Sequence, residues 1–434
     1  MISVMYLLLA TAMFVLQDAY FPVGGMELSL KNPCAAAILF LALFHFTATV
    51  RLDRALLLVR HTLVQMLPCL VPLFFSAVIW LASAADSAAI ANGAGMILPQ
   101  LLSVLVAAAT LYLFGGRGIW YCLASMCAAN FISVLAVIYQ GGLDAFLQEF
   151  YTLLVTFSGE TGPLMLQLES HDLTFAFGPF LLYLFLNWKK SPHPLLWTAI
   201  VFLFFLTGLK RIAFPAVALA FLTALLLRRL PEKAARQTAL CIAAAMMAVS
   251  FLYIAGIRYG LFQYLEERLL LDTKGRAMLF ANVAPYYDIS ITFLGRGTGF
   301  ERYVEWFSGL ESSVPLRTQT QIHNDFLRMY LNIGFLGYWV WIWSWLTVRL
   351  RYWFRQGGKD VGCLFLAICI YCFVLYATDN TIYYPYTMIA CSLVPMSCNF
   401  DALANAALAE RCAQWGAAGQ EIPCPPQNHT ESGS

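Results

Sequence analysis

The chain has 434 residues, 61% of them apolar and only 12% charged, with a mean hydropathy of +0.71. Soluble domains carry about 25% charged residues, so this composition excludes a soluble enzyme and a disordered protein. A formal net charge of +2, from 26 Lys and Arg against 24 Asp and Glu, gives no bulk attraction to polyanions and excludes a nucleic-acid binder.

A membrane span needs about 20 apolar residues. The apolar runs predict helices near 1–16, 34–50, 62–82, 94–114, 119–140, 173–188, 195–209, 212–227, 237–256, 325–348, 361–377 and 382–398. The fold class expected is all-α: a polytopic membrane protein of about 12 transmembrane helices. Residues 1–398 form the transmembrane domain, and 399–434 form a cytoplasmic C-terminal tail, a short helix followed by coil. No A-x-A cleavage signal follows the first helix, which is read as a retained span.

Positive charges set the orientation. Arg51, Arg54, Arg60, Arg117, Lys189, Lys190, Arg228, Arg229, Lys233, Arg236, Arg349, Arg351, Arg355 and Lys359 fall on one side when the helices alternate. That side is read as the cytoplasm, with both termini there. The short breaks opposite (17–33, 83–93, 141–172, 378–381) hold a single Lys, Lys31. The long segment 257–322 is placed outside and is expected to carry short amphipathic helices. Its basic residues do not overturn the orientation, because long loops translocate despite their charge.

Cysteine supplies no chemistry outside the membrane. None of the twelve Cys lies in 257–322, and the Cys369-x-x-Cys372 pair sits within an apolar span, where helix packing is the expected role.

Three polar sites stand where a membrane protein pays for them, since a charge at membrane depth costs at least about 2.5–3.5 kcal/mol. Lys210-Arg211 sits in a tight outer hairpin before a helix N-terminus. Two adjacent cations there suit a phosphate or diphosphate; snorkelling to lipid headgroups is the plainer alternative. Arg276 follows Gly275 at the start of an amphipathic helix, either as an anion ligand or as an ordinary solvated Arg. Nearby, Gly295-Arg296-Gly297-Thr298-Gly299 lacks the P-loop lysine and reads as a flexible connector. His323-Asn324-Asp325 stands at the entry of the helix from 325. Its imidazole suits proton transfer from an alcohol near neutral pH, with Asn324 and Asp325 to orient it; a simple Asn324 helix cap is the plainer alternative.

His323-Asn324, nine residues, then Gly334-Phe335-Leu336-Gly337 fits the pattern H-N-x9-G-x-x-G. The chain resembles the bacterial O-antigen ligase and Wzy-type O-antigen polymerase superfamily in this motif, most strongly over 195–345. Arg211 and Arg276 fall where such proteins carry their two arginines, although Lys210 stands where they often have Ser. The resemblance implies an inner-membrane enzyme moving a glycan from an undecaprenyl-diphosphate carrier to an acceptor hydroxyl on the periplasmic or outer face. It implies no cofactor or metal: Arg211 and Arg276, assisted by Lys210, clamp the diphosphate. His323 deprotonates the acceptor, Asn324 orients the ring or the acceptor, and Gly334 and Gly337 allow close helix approach. Expected partners are the lipid-linked donor, a glycan or lipid acceptor, membrane lipids, and a chain-length regulator or flippase.

Polymerase and ligase differ in acceptor alone. Acidic residues of 141–172 (Asp144, Glu149, Glu160, Glu169) and the aromatic stretches 286–306 and 383–386 suit sugar binding and favour polymerase over transfer to lipid A-core. A transporter of lipid-linked oligosaccharide is the rival of another class. It predicts repeat symmetry and charges within broken spans, whereas the exceptional charges here stand at helix ends.

Overall fold

A computed structural model describes residues 1–16, 19–23, 26–83, 85, 87–156, 171–208, 210–270, 273, 275–303 and 322–417. In chain order the helices are α1 (Ile2–Val15), α2 (Lys31–Thr49), α3 (Leu52–Ala82), α4 (Ser87–Phe114), α5 (Gly118–Gly141) and α6 (Leu143–Thr156). Then come α7 (His171–Leu186), α8 (Pro194–Thr207), α9 (Ala213–Arg229), α10 (Glu232–Arg258), α11 (Leu261–Leu269) and α12 (Arg276–Val283). The last four are α13 (Asp325–Trp343), α14 (Arg349–Thr378), α15 (Pro385–Ser397) and α16 (Phe400–Ala417). Among the described residues the secondary structure is helical apart from one antiparallel hairpin, in which Tyr20 pairs with Ser29 and Val23 with Met26.

Among the described residues, five helical runs are long and apolar enough to cross a membrane: Lys31–Thr49, Leu52–Ala82, Ser87–Gly141, Glu232–Arg258 and Asp325–Thr378. The bent pair Pro385–Ser397 and Phe400–Glu410 would make a sixth. Helix length alone therefore yields fewer spans than the apolar pattern. The physical reason is twofold. Ser87–Gly141 and Asp325–Thr378 are 55 and 54 residues long, roughly twice a bilayer at 1.5 Å per residue. They are interrupted at Gly115–Arg117 and at Gly358 (φ 68°). Conversely Ile2–Val15, Asp172–Leu186 and Pro194–Thr207 are shorter than the usual 20 or so residues.

Burial divides the helices into two shells. α13, α14 and α15 lie at the centre, where Trp341, Trp353, Tyr371 and Tyr386 are fully buried. Around them pack α3, α4, α7, α9 and α10. The outer helices turn apolar side chains outward: Phe40 and Phe44 on α2, Phe74 on α3, Leu252 on α10. Such a surface suits hydrocarbon rather than water.

One feature of the centre differs from the sequence-based expectation. Gly334 does not sit in a straight helix; it breaks α13 with φ 70° and ψ −174°. The break releases backbone groups that need partners, and the glycine-rich segment supplies them. Arg296 N donates to Leu331 O (2.9 Å), Gly297 N to Asn332 O (2.8 Å), and Phe335 N to Phe293 O (2.8 Å). Thr298 is buried, its amide donating to Ser76 Oγ (3.0 Å) on α3. Residues 293–299 are thus a packed strap across α13 and not a flexible connector. Gly334 serves backbone contact, because a Cβ there would lie 2.2 Å from Leu294 C. Gly337 does serve helix approach: its Cβ would meet Phe75 of α3 at 3.1 Å.

The short helix expected in the tail is α16 (Phe400–Ala417). α16 docks through Asp401, whose carboxylate accepts from Gly116 N (3.0 Å). Residues 418–434, and the 304–321 part of the expected outer loop, lie outside the described residues. So do Lys274, Glu160 and Glu169.

Candidate active site

The site is built around the turn between α14 and α15. Asp379 is the only charged residue from Val361 to Cys398. It ends α14 in an extended conformation, its amide donating to Leu375 O (2.8 Å). Its Oδ1 accepts from Asn380 N (2.8 Å).

Three of the cations and polar groups singled out in the sequence meet this turn. Arg276, half-buried at the first position of α12, donates from Nη2 to Thr378 O (2.7 Å). It thereby caps the negative end of α14, where orphan carbonyls favour a cation. Gly275 (φ 76°) starts α12 in the left-handed region open to glycine. Gln263 Nε2, donating to Ala277 O (3.2 Å), ties α12 to α11. Tyr253 of α10 adds its hydroxyl to Ala377 O (2.9 Å) and faces both Arg276 and Asn324.

Lys210 arrives from the other side, close enough to act electrostatically on Asp379. Its hairpin seats on α7 because Gly208 lacks a Cβ, which would lie 1.9 Å from Thr174 Oγ1. Ala213 N donates to Lys210 O (2.9 Å) to close the turn into α9. Arg211 is exposed in that turn.

His323 occupies the left-handed region (φ 50°), a strained position for a side chain of this kind, costing about 1–3 kcal/mol. Its Nδ1 lies 3.2 Å from Asn380 Nδ2 and 3.9 Å from Asp379 Oδ1. The ring is 32% exposed and Asp379 19%. Asn324 is fully buried and caps α13, its Oδ1 accepting from Leu327 N (3.0 Å). Among the described residues the imidazole's hydrogen-bond partner is the Asn380 side chain.

Behind this front lies a buried ion cluster. Arg328 stands between Glu301 (Nε to Oε1 3.6 Å) and Asp325 (Nη1 to Oδ1 3.5 Å), with its guanidinium 5.2 Å above the Tyr383 ring. Asp325 Oδ2 accepts from Ile382 N (2.7 Å). Arg328 Nη2 donates to Asn380 Oδ1 (2.6 Å). Glu301, Asp325, Arg328 and Asn380 are all buried. A buried charge needs such partners, and together they lock the 379–382 turn onto α13.

Burial alone would push the Asp379 carboxyl up. The His323 ring, Lys210 and the Asn380 amide outweigh that and hold it below the ordinary carboxylate range. Asp379 is therefore anionic at neutral pH. The site combines a fixed carboxylate, an imidazole and two cations at helix ends, a set that can move a proton beside a negatively charged group.

Asp379, Asn380, Tyr253 and Glu301 were not singled out in the sequence. A signal existed for the first two: Thr378-Asp379-Asn380-Thr381 is the sole polar run between two apolar helices. Glu301 had none, because its partner lies 27 residues on and across a strap. No protein-family model and no curated protein match the chain.

Proposed function

We propose that the chain is an integral membrane glycosyltransferase of the O-antigen polymerase/ligase type. It transfers a glycan from an undecaprenyl-diphosphate carrier to an acceptor hydroxyl on the extracytoplasmic face, and its main reaction is polysaccharide polymerisation. In this reading the chain crosses the membrane about twelve times, with 257–322 and the 378–381 turn on that face.

One observation carries this reading. Lys210, Arg276 and His323, from three distant parts of the chain, gather on the Thr378–Asn380 turn. The reaction asks for such a group. The acceptor O–H gives its proton to the His323–Asp379 pair, and its oxygen bonds the anomeric carbon. The bond from that carbon to the diphosphate oxygen breaks, and the electron pair leaves with the carrier. Arg211 and Arg276, assisted by Lys210, offset the charge that builds there, and no metal takes part. Inversion at the anomeric carbon follows from a single displacement. A transporter would hold its charges within broken spans at mid-membrane, whereas Lys210, Arg276 and His323 all stand at helix ends.

Purified protein given a lipid-linked repeat unit alone tests the proposal. A ladder of lengthening glycans marks a polymerase, and product only after an acceptor lipid is added marks a ligase. An untouched donor under both conditions overturns the proposal.

A further inference from the structure

We propose that Arg328, acting through Asn380, fixes neutral His323 with its proton on Nε2, so that the ring gives a hydrogen bond while the Asp379 carboxylate takes the acceptor's proton. The proposal rests on the transferase reading above and divides the labour of its His323–Asp379 pair.

Hydrogen-bond polarity carries the inference. A guanidinium has five N–H donors and no acceptor. Arg328 Nη2 lies 2.6 Å from one end of the Asn380 amide, so that end is the oxygen. The other end is the NH2, and it lies 3.2 Å from His323 Nδ1. Nδ1 must then accept. A neutral imidazole carries one proton, and it resides on Nε2.

The opposite tautomer fails twice. An Nδ1–H would point to Asp379 Oδ1 across 3.9 Å, too far for a hydrogen bond. It would also turn the Asn380 NH2 onto the guanidinium at 2.6 Å, donor against donor. Arg328 cannot swing aside, being 5% exposed and held by Glu301 and Asp325. Asn332 supports the same cluster, donating with its NH2 turned to Glu301 Oε2 (2.9 Å).

An Nε2–H has no lone pair for the acceptor's proton. A proton acceptor that the turn does offer is the Asp379 carboxylate, which accepts from the Asn380 backbone amide (2.8 Å) and stands close enough to Lys210 to feel its charge. In the transfer step the acceptor O–H breaks and its proton passes to the Asp379 carboxylate. The new O–C bond forms as the C–O bond to the diphosphate breaks, and the Nε2–H hydrogen-bonds the departing oxygen. Arg328 and Asn380 are positioning residues; they need not touch substrate.

The test is 15N NMR of full-length protein, labelled at histidine and held in lipid bilayers at mildly alkaline pH. The His323 signal is assigned by its loss in His323→Gln. The expected result is a proton on Nε2 in the wild type. Asn380→Asp should move it to Nδ1, because one carboxylate oxygen would accept from Arg328 and the other from Nδ1–H. A wild-type ring with its proton on Nδ1, or protonated on both nitrogens, overturns the proposal even if the variant does not fold. Alongside, Asp379→Asn should lower the transfer rate about 100-fold or more, the usual worth of a general base, with the KM for the lipid-linked donor little changed. A full rate in Asp379→Asn removes the proton-acceptor role. If the wild type moves no glycan while the spectrum shows Nε2–H, the transferase reading fails and the tautomer assignment stands.

Discussion

At the scale of single residues, the site depends on charges that the surrounding chain holds in place. Asp379 shows this through pH. Its folded carboxyl titrates below the ordinary value, which is about 3.9 in an unfolded chain. A depressed carboxyl stabilises the folded state above the unfolded value, and that gain is lost as pH falls through the folded one. Wild type should therefore outlast Asp379→Asn in thermal unfolding at neutral pH, and the gap should close below about pH 4. A gap that widens in acid would contradict the assigned direction. His323→Ala should abolish transfer with membrane insertion intact, checked by glycan gels against membrane fractionation. Arg276→Lys should also lower transfer, by about tenfold or more, since an ammonium is a point charge that cannot cap Thr378 O and grip a diphosphate together. Sequence reasoning reached Arg276 and His323 because unusual charge at a helix end is visible in one dimension. It did not reach Asn380, whose role is set by a contact 57 residues away from His323.

At the scale of elements, the fifteen residues from His323 to Gly337 act as a folded device. His323 bends the chain, Asn324 caps α13, Gly334 breaks it, and the 293–299 strap fills the break. The spacing of the motif was legible; the break was not, because it exists only with the strap laid across it. The two glycines should differ on substitution. Gly334→Ala requires φ 70° and a Cβ 2.2 Å from Leu294 C, and should cost about 1–3 kcal/mol from the backbone conformation before any clash. Gly337→Ala meets Ile333 Cβ at 2.9 Å and Phe75 Cδ1 at 3.1 Å, a conflict that side-chain movement can ease. Thermal unfolding in detergent should place Gly334→Ala well below Gly337→Ala, and equal midpoints would contradict the account of the break.

At the scale of the molecule, apolar composition made a helical membrane protein legible from the first count. The number of spans was less so, because hydropathy marks apolar stretches and not where a helix bends. The Gly358 kink within Asp325–Thr378 joins what the pattern reads as two spans. Topology reporters should place Arg117, Lys190 and Lys359 in the cytoplasm, and Ser290 and Asp379 outside. Ser290 and Lys359 on the same side would break the proposed orientation. The measurement that bears most directly on the whole proposal is glycan transfer by purified protein in EDTA, with the lipid-linked repeat unit as donor. The wild type should build a ladder, His323→Ala should build none, and the chelator should change neither. A donor left intact by the wild type, both alone and with an acceptor lipid, would contradict the central claim.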